Sequence, residues 1–113
     1  MAWLLHQGEV LASAEVATGI VARMRWVRLC QRAPVVVLGG GHSLHSFGAA
    51  QELLAVYCDD EMSVLAIRAI HHSKVHLYPH STKWAVLAPM ELGRRWSISV
   101  GDELELRLNS EQR

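Results

Sequence analysis

Seven histidines in 113 residues are this chain's densest supply of side chains able to do chemistry near neutral pH. Four of them, His71, His72, His76 and His80, fall within ten positions. Imidazole is a ready zinc ligand, and a zinc site draws its nitrogens to about 2.1 Å from the metal. On a helix His72 and His76 would share a face, as would His76 and His80. Val75, Leu77 and Tyr78 favour a strand instead, and Pro79 would break a helix. In a strand His72 and His76 keep one face but stand about 13 Å apart, too far for one ion. No cysteine or carboxylate completes the set. The expectation is therefore no cofactor, with zinc at His71, His72, His76 and His80 as the alternative.

A second group lies in the stretch from Gly39 to Gly48. Gly39-Gly40-Gly41-His42-Ser43 is glycine-rich but lacks the Gly-Lys-Ser/Thr ending of a phosphate loop, so it reads as a connector that could cover a groove. His42, His45, Phe47 and Gly48 are the candidate ligand-binding residues, His45 as base or donor and Phe47 as a stacking platform. The competing reading makes Phe47 a core plug and His45 a donor that ties the loop. His45 and Ser46 are adjacent, and neighbours on an extended chain point to opposite sides, so they form no nucleophilic dyad. Asp59-Asp60-Glu61 reads as a solvated turn, and Asp102 after Gly101 as a turn former.

Arg25, Arg28 and Arg32 make one basic stripe. Cations near a helix C-terminus already have a structural reason, the macrodipole. Arg25, Trp26 and Arg28 are the candidate interface, because Trp and Arg are enriched there, and a homodimer is a possible use of it. The 11 basic and 11 acidic residues cancel, which argues against nucleic acid as a partner.

Those residues must be held by a framework, and the pattern is mostly β. Trp3 to Leu5 and Glu9 to Ser13 read as strands around Gln7-Gly8. Thr18 reads as an N-cap, followed by Ile20, Val21, Met24 and Val27 at helical spacing in an amphipathic helix of about three turns that Pro34 stops. Val35 to Leu38 is a β-branched strand. Leu53 to Tyr57 is a continuous apolar run expected to be a buried central strand, with Val64 to Ile70 returning as its hairpin partner. Val75 to Tyr78 and Trp84 to Leu87 are two further strands. Leu104, Leu106 and Leu108 alternate with charged residues in a closing strand. The expected fold is α+β and mainly β: a small curled antiparallel or mixed sheet, or a barrel-like meander, with one packed helix.

The length fits a single domain over 1–113, with a frayed end near 109–113. Half the residues are hydrophobic, so the core can be substantial. No apolar stretch reaches the roughly 20 residues of a membrane helix, and Met1 to His6 lacks the basic lead of a secretory signal. Cys30 and Cys58 have no CxxC spacing, which fits two buried reduced thiols in a cytoplasmic protein.

These residues also resemble the domain-of-unknown-function 192 family, small conserved proteins of bacteria and archaea. Thr18 and Arg23 match its Thr-led, Arg-containing helix, and Val35 to Leu38 its first apolar strand. His45-Ser46-Phe47-Gly48 matches its loop, Leu53 to Tyr57 with Asp59 its central strand, and Val100-Gly101-Asp102 its final turn. The chain departs at Leu54, where the family usually has an acidic residue, at Ala49 for the loop Met, at Trp26-Val27-Arg28 for Gly-Leu-Met, and at Ala88-Pro89 near a usual Glu. The resemblance implies a fold rather than a reaction. The functional expectation is a non-enzymatic or accessory domain binding a small molecule or protein through His42 to Gly48. The alternative is a metal-dependent binder or enzyme using His45 with the histidines of 71–80.

Overall fold

The computed structural model describes residues 2–29, 33–47, 51–71 and 74–108. The chain forms β1 (Ala2–His6), β2 (Glu9–Thr18), α1 (Ile20–Met24), α2 (Trp26–Leu29), β3 (Val35–Gly39) and β4 (Ser43–His45). It continues with β5 (Leu53–Cys58), β6 (Val64–Ile70), β7 (Val75–Leu77), β8 (Trp84–Pro89), α3 (Met90–Arg94) and β9 (Leu104–Leu108). Seven strands make one mixed sheet in the order β6-β5-β8-β3-β2-β1-β9, while β4 and β7 pair separately. The fold is mainly β, as expected.

Among the described residues only β2 and β3 run parallel, from Ala14 opposite Val35 to Thr18 opposite Gly39. Parallel neighbours need a crossover, and α1 with α2 supplies it. The other pairings are antiparallel. The edges β6 and β9 approach each other at one end. There Ser63 bridges Glu103, and Val64 N–H donates to Asp102 O at 2.8 Å. The ladder goes no further, so the barrel expected from the sequence is an open, curled sheet. A closed barrel needs continuous pairing around its circumference, and one bridge does not provide it.

The central strands are apolar on both faces because both faces are covered. Val36, Leu38, Leu53, Ala55, Tyr57, Ala85 and Leu87 point to the side of α1, α2 and the β4–β7 pair. Val35, Val37, Val56, Cys58, Val86 and Ala88 point to the other side, where Leu92, Trp96 and Ile98 pack. The expected interior strand is therefore observed, as Leu53–Cys58 between β6 and β8.

The expected helix is corrected in three respects. Thr18 is the last residue of β2 and its backbone belongs to the ladder with Gly39, so it cannot cap a helix. Gly19 takes that position instead, at φ 87°, with no side-chain cap. The helix then breaks at Arg25, which lies at φ −108° and ψ 19°. Finally, the stripe of Ile20, Val21 and Met24 faces outward, each more than half exposed, and Trp26 alone in α1 and α2 is fully buried. Trp26 is thus a core anchor and not the interface residue expected, whereas Arg25 and Arg28 are exposed. The sequence reading also placed 43–45 in a loop and had no helix at 90–94. Gly48, His72, Cys30, Arg32 and the expected frayed end at 109–113 lie outside the described residues.

Candidate functional site

The loop that was expected to carry the site divides into two environments. At its far end β4 presents His45, whose Nε2–H donates to Met24 O at 2.8 Å. Phe47 N–H donates to His45 Nδ1 at 3.2 Å, so the imidazole is the neutral Nε2–H tautomer with both nitrogens engaged. Trp26 Nε1–H donates to His45 O at 2.8 Å. His45 therefore knots β4 to the junction of α1 and α2. Phe47 stacks on His45 at 5.4 Å and 18°, but it is 54 % exposed, which corrects the reading of Phe47 as a core plug. Ser46 is buried; its Oγ donates to His71 O and accepts Lys74 N–H at 2.9 Å, pegging the chain entering β7.

At its near end the loop presents His42 to an open cleft of about 740 Å³. Three connections form the walls. The β3–β4 connection contributes Gly41 and His42, the β5–β6 turn Asp59 and Asp60, and the β7–β8 loop Tyr78, His80, Ser81, Thr82 and Lys83. Backbone hydrogen bonds hold these connections together. Gly40 N–H donates to Lys83 O, Tyr78 N–H to His42 O and Lys83 N–H to Cys58 O, at 2.8 to 2.9 Å. Asp59 is committed to its own turn, its Oδ1 accepting the N–H groups of Glu61 and Ser63 at 2.9 Å.

Three buried polar atoms have no partner among the described residues: the hydroxyls of Thr82 and Tyr78, which line this cleft, and Nε of Arg23, which lines a neighbouring smaller pocket with Met24 and His45. Thr82 as a whole is only 8 % exposed. The Tyr78 ring packs on Tyr57 at 5.4 Å. Burial pushes its phenol up to about 12, the neighbouring Tyr57 adds to the rise, and the Arg23 charge opposes it. Arg23 reaches from α1 to lie on Gly41, where a Cβ would run into the Arg23 guanidinium.

The described histidines of this group, His71, His76 and His80, do not converge. His71 Nδ1 pairs with Glu52 at 3.0 Å on the surface, His76 Nε2 donates to His71 O at 3.4 Å, and His80 lines the cleft. Among the described residues no three His, Cys, Asp or Glu side chains are placed to hold a metal ion. In the sequence His42 groups with His45 and Phe47, whereas the structure groups it with Tyr78, His80 and Thr82. Arg23 had entered only through the family resemblance. Tyr78 and Thr82 carried no signal, since a missing hydrogen-bond partner is invisible in a sequence. No protein-family model, curated protein or solved structure matches this chain.

Proposed function

We propose that this chain is a non-enzymatic binding domain that takes a small molecule into the cleft between His42 and the Tyr78 to Lys83 loop. The observation that carries the reading is the contrast between the loop's two ends. His45 has both nitrogens satisfied internally, while His42 stands exposed on a cleft lined by Tyr78 and Thr82, whose buried hydroxyls lack partners among the described residues. A general base needs a lone pair within reach of its substrate, and both His45 nitrogens are engaged inside the fold. The reading also takes the chain as a divergent member of the domain-of-unknown-function 192 family. The buried Leu53–Cys58 strand and the turn at Gly101-Asp102 support that assignment. The free thiol of Cys58 fits a reducing, cytoplasmic setting.

Calorimetric titration of the full chain against a metabolite panel, repeated with His42→Ala and His80→Ala, tests the binding reading. A ligand whose affinity falls in either variant supports it. A panel with no binder, or a binder indifferent to both substitutions, removes it.

A further inference from the structure

We propose that the face built by α1 and the β4–β7 pair adsorbs to an anionic lipid surface. Ile20, Met24, Phe47, Val75 and Leu77 enter the interface, and Arg25 and Lys74 meet the headgroup phosphates. This face is separate from the cleft at His42, and the inference does not depend on what that cleft binds.

The fold brings these side chains together from distant parts of the chain. Ile20 and Met24 from α1, Ser43 and His45 from β4 and Val75 from β7 line one recess of about 200 Å³. In the antiparallel β4–β7 pair His45 lies opposite Val75 and Ser43 opposite Leu77, so Val75 and Leu77 share the face that carries His45. Phe47 extends the same surface, because its ring stacks on His45 at 5.4 Å. All five apolar side chains are more than half exposed, from 54 % at Phe47 to 74 % at Leu77. Single apolar side chains on a surface need no explanation, whereas a contiguous group rimmed by polar residues marks a protein or membrane contact.

Charge decides what covers it. The segments 19–29, 42–47 and 74–78 carry Arg23, Arg25, Arg28 and Lys74 and no aspartate or glutamate, in a chain whose 11 basic and 11 acidic residues cancel. Arg25 follows Met24 and Lys74 precedes Val75, and both are exposed, one beside the helix and one beside the strand pair. Asp59 and Asp60 line the larger cleft and not this recess, and Glu52 is engaged by the His71 ring. A second copy would set these cations against their own kind, with no carboxylate to meet them. A bilayer surface supplies hydrocarbon and phosphate together in one plane and needs no matching contour. That suits side chains delivered separately by a five-residue helix, a strand end and a two-stranded pair.

Sedimentation of the full chain with vesicles of phosphatidylglycerol and phosphatidylcholine, against vesicles of phosphatidylcholine alone, tests this. Binding should appear with the anionic vesicles, be several-fold weaker or absent with the neutral ones, and fall as salt rises. Arg25→Gln with Lys74→Gln should lower the partition coefficient by about tenfold or more, since each cation at such a surface contributes roughly fivefold. Phe47→Ser with Leu77→Gln should lower it by about tenfold as well. All four positions are exposed, so melting temperatures should stay near that of the unsubstituted protein. Arg94→Gln with Arg95→Gln, beside Leu92 and Trp96 on the opposite side of the sheet, should leave binding unchanged. Paramagnetic lipid should broaden the NMR signals of Met24, Val75 and Leu77 first, which reports the face without any substitution. No binding to anionic vesicles, equal binding to neutral ones, or equal loss in the Arg94 and Arg95 variant would overturn the inference. So would self-association, seen by light scattering, that the Phe47 and Leu77 variant abolishes; that result would assign the face to a second copy.

Discussion

His6 Nε2–H donates to Asp102 Oδ2 at 3.0 Å, joining the end of β1 to the turn that precedes β9. The same oxygen accepts Ser99 N–H at 2.9 Å, so one carboxylate holds both its own turn and a strand 96 residues away. His6 is 7 % exposed, which gives its ring little access to water as a substitute partner. Asp102→Ala should cost about 1–3 kcal/mol, because it orphans a nearly buried ring nitrogen and opens the turn. A double-mutant cycle with His6→Ala, read by urea unfolding, should return a coupling of about 1 kcal/mol. Additive losses would mean the contact contributes nothing.

Alkaline pH should destabilise the fold through two buried acids. Burial, with a smaller contribution from the charge of Asp59, pushes the Cys58 thiol up to about 12 from an ordinary 9.0. The Tyr78 phenol is also pushed to about 12, from 10.0, first by burial. Both groups keep protons in the folded chain that the unfolded chain would release. The unfolded state therefore binds fewer protons as pH rises above 9, and the free energy of unfolding falls with pH. The stabilisation is complete below pH 9 and declines toward pH 12. Urea midpoints measured across that window should drop, and the drop should be shallower in Cys58→Ala. An equal slope in that variant would exclude Cys58 as a source.

Gly41 combines a backbone at φ 82° with contact against the Arg23 guanidinium. Gly41→Ala therefore meets two costs, a left-handed backbone for an L-residue and displacement of a charged side chain. The sum should be about 2–3 kcal/mol, measured by thermal and urea unfolding. Made in an Arg23→Ala background, the same substitution should cost only the backbone part, about 1 kcal/mol. Equal losses in the two backgrounds would show that Arg23 does not occupy the space a Cβ would need.

How far the sequence reaches can be judged from particular residues. Leu53 to Tyr57 was legible because a strand covered on both faces needs an unbroken apolar run, and few other elements of that length do. Ile20, Val21 and Met24 also showed their periodicity, but periodicity says which residues share a face and not where that face points. Thr18 stays in the ladder and Gly19 re-aims the chain, so the stripe turns to solvent while Trp26 takes the buried place. Ser43–His45 was too short to read as a strand, and it exists because β7 pairs with it. At the site, His42 and His80 were visible as histidines. Arg23, Tyr78 and Thr82 were not, because their shared lack of partners depends on a helix and a loop more than 50 residues apart.

The helix at Met90–Arg94 offers a test in which the sign of an effect reverses. Gly93 is buried where α3 crosses β5, and a Cβ there would lie 2.6 Å from Leu54 Cδ2 and 3.1 Å from Leu54 Cβ. Glycine inside a helix costs about 1 kcal/mol relative to alanine, so close packing is the reason to keep it. Leu54, apolar where the resembled family usually has an acidic residue, supplies that packing. Gly93→Ala alone should destabilise by about 1–2 kcal/mol, since the overlap outweighs the gain in helix propensity. In a Leu54→Ala background the overlap is gone, and the same substitution should stabilise by up to about 1 kcal/mol. Unfolding curves for the four proteins decide the matter: destabilisation of similar size in both backgrounds would show that Leu54 does not set the distance between α3 and the sheet.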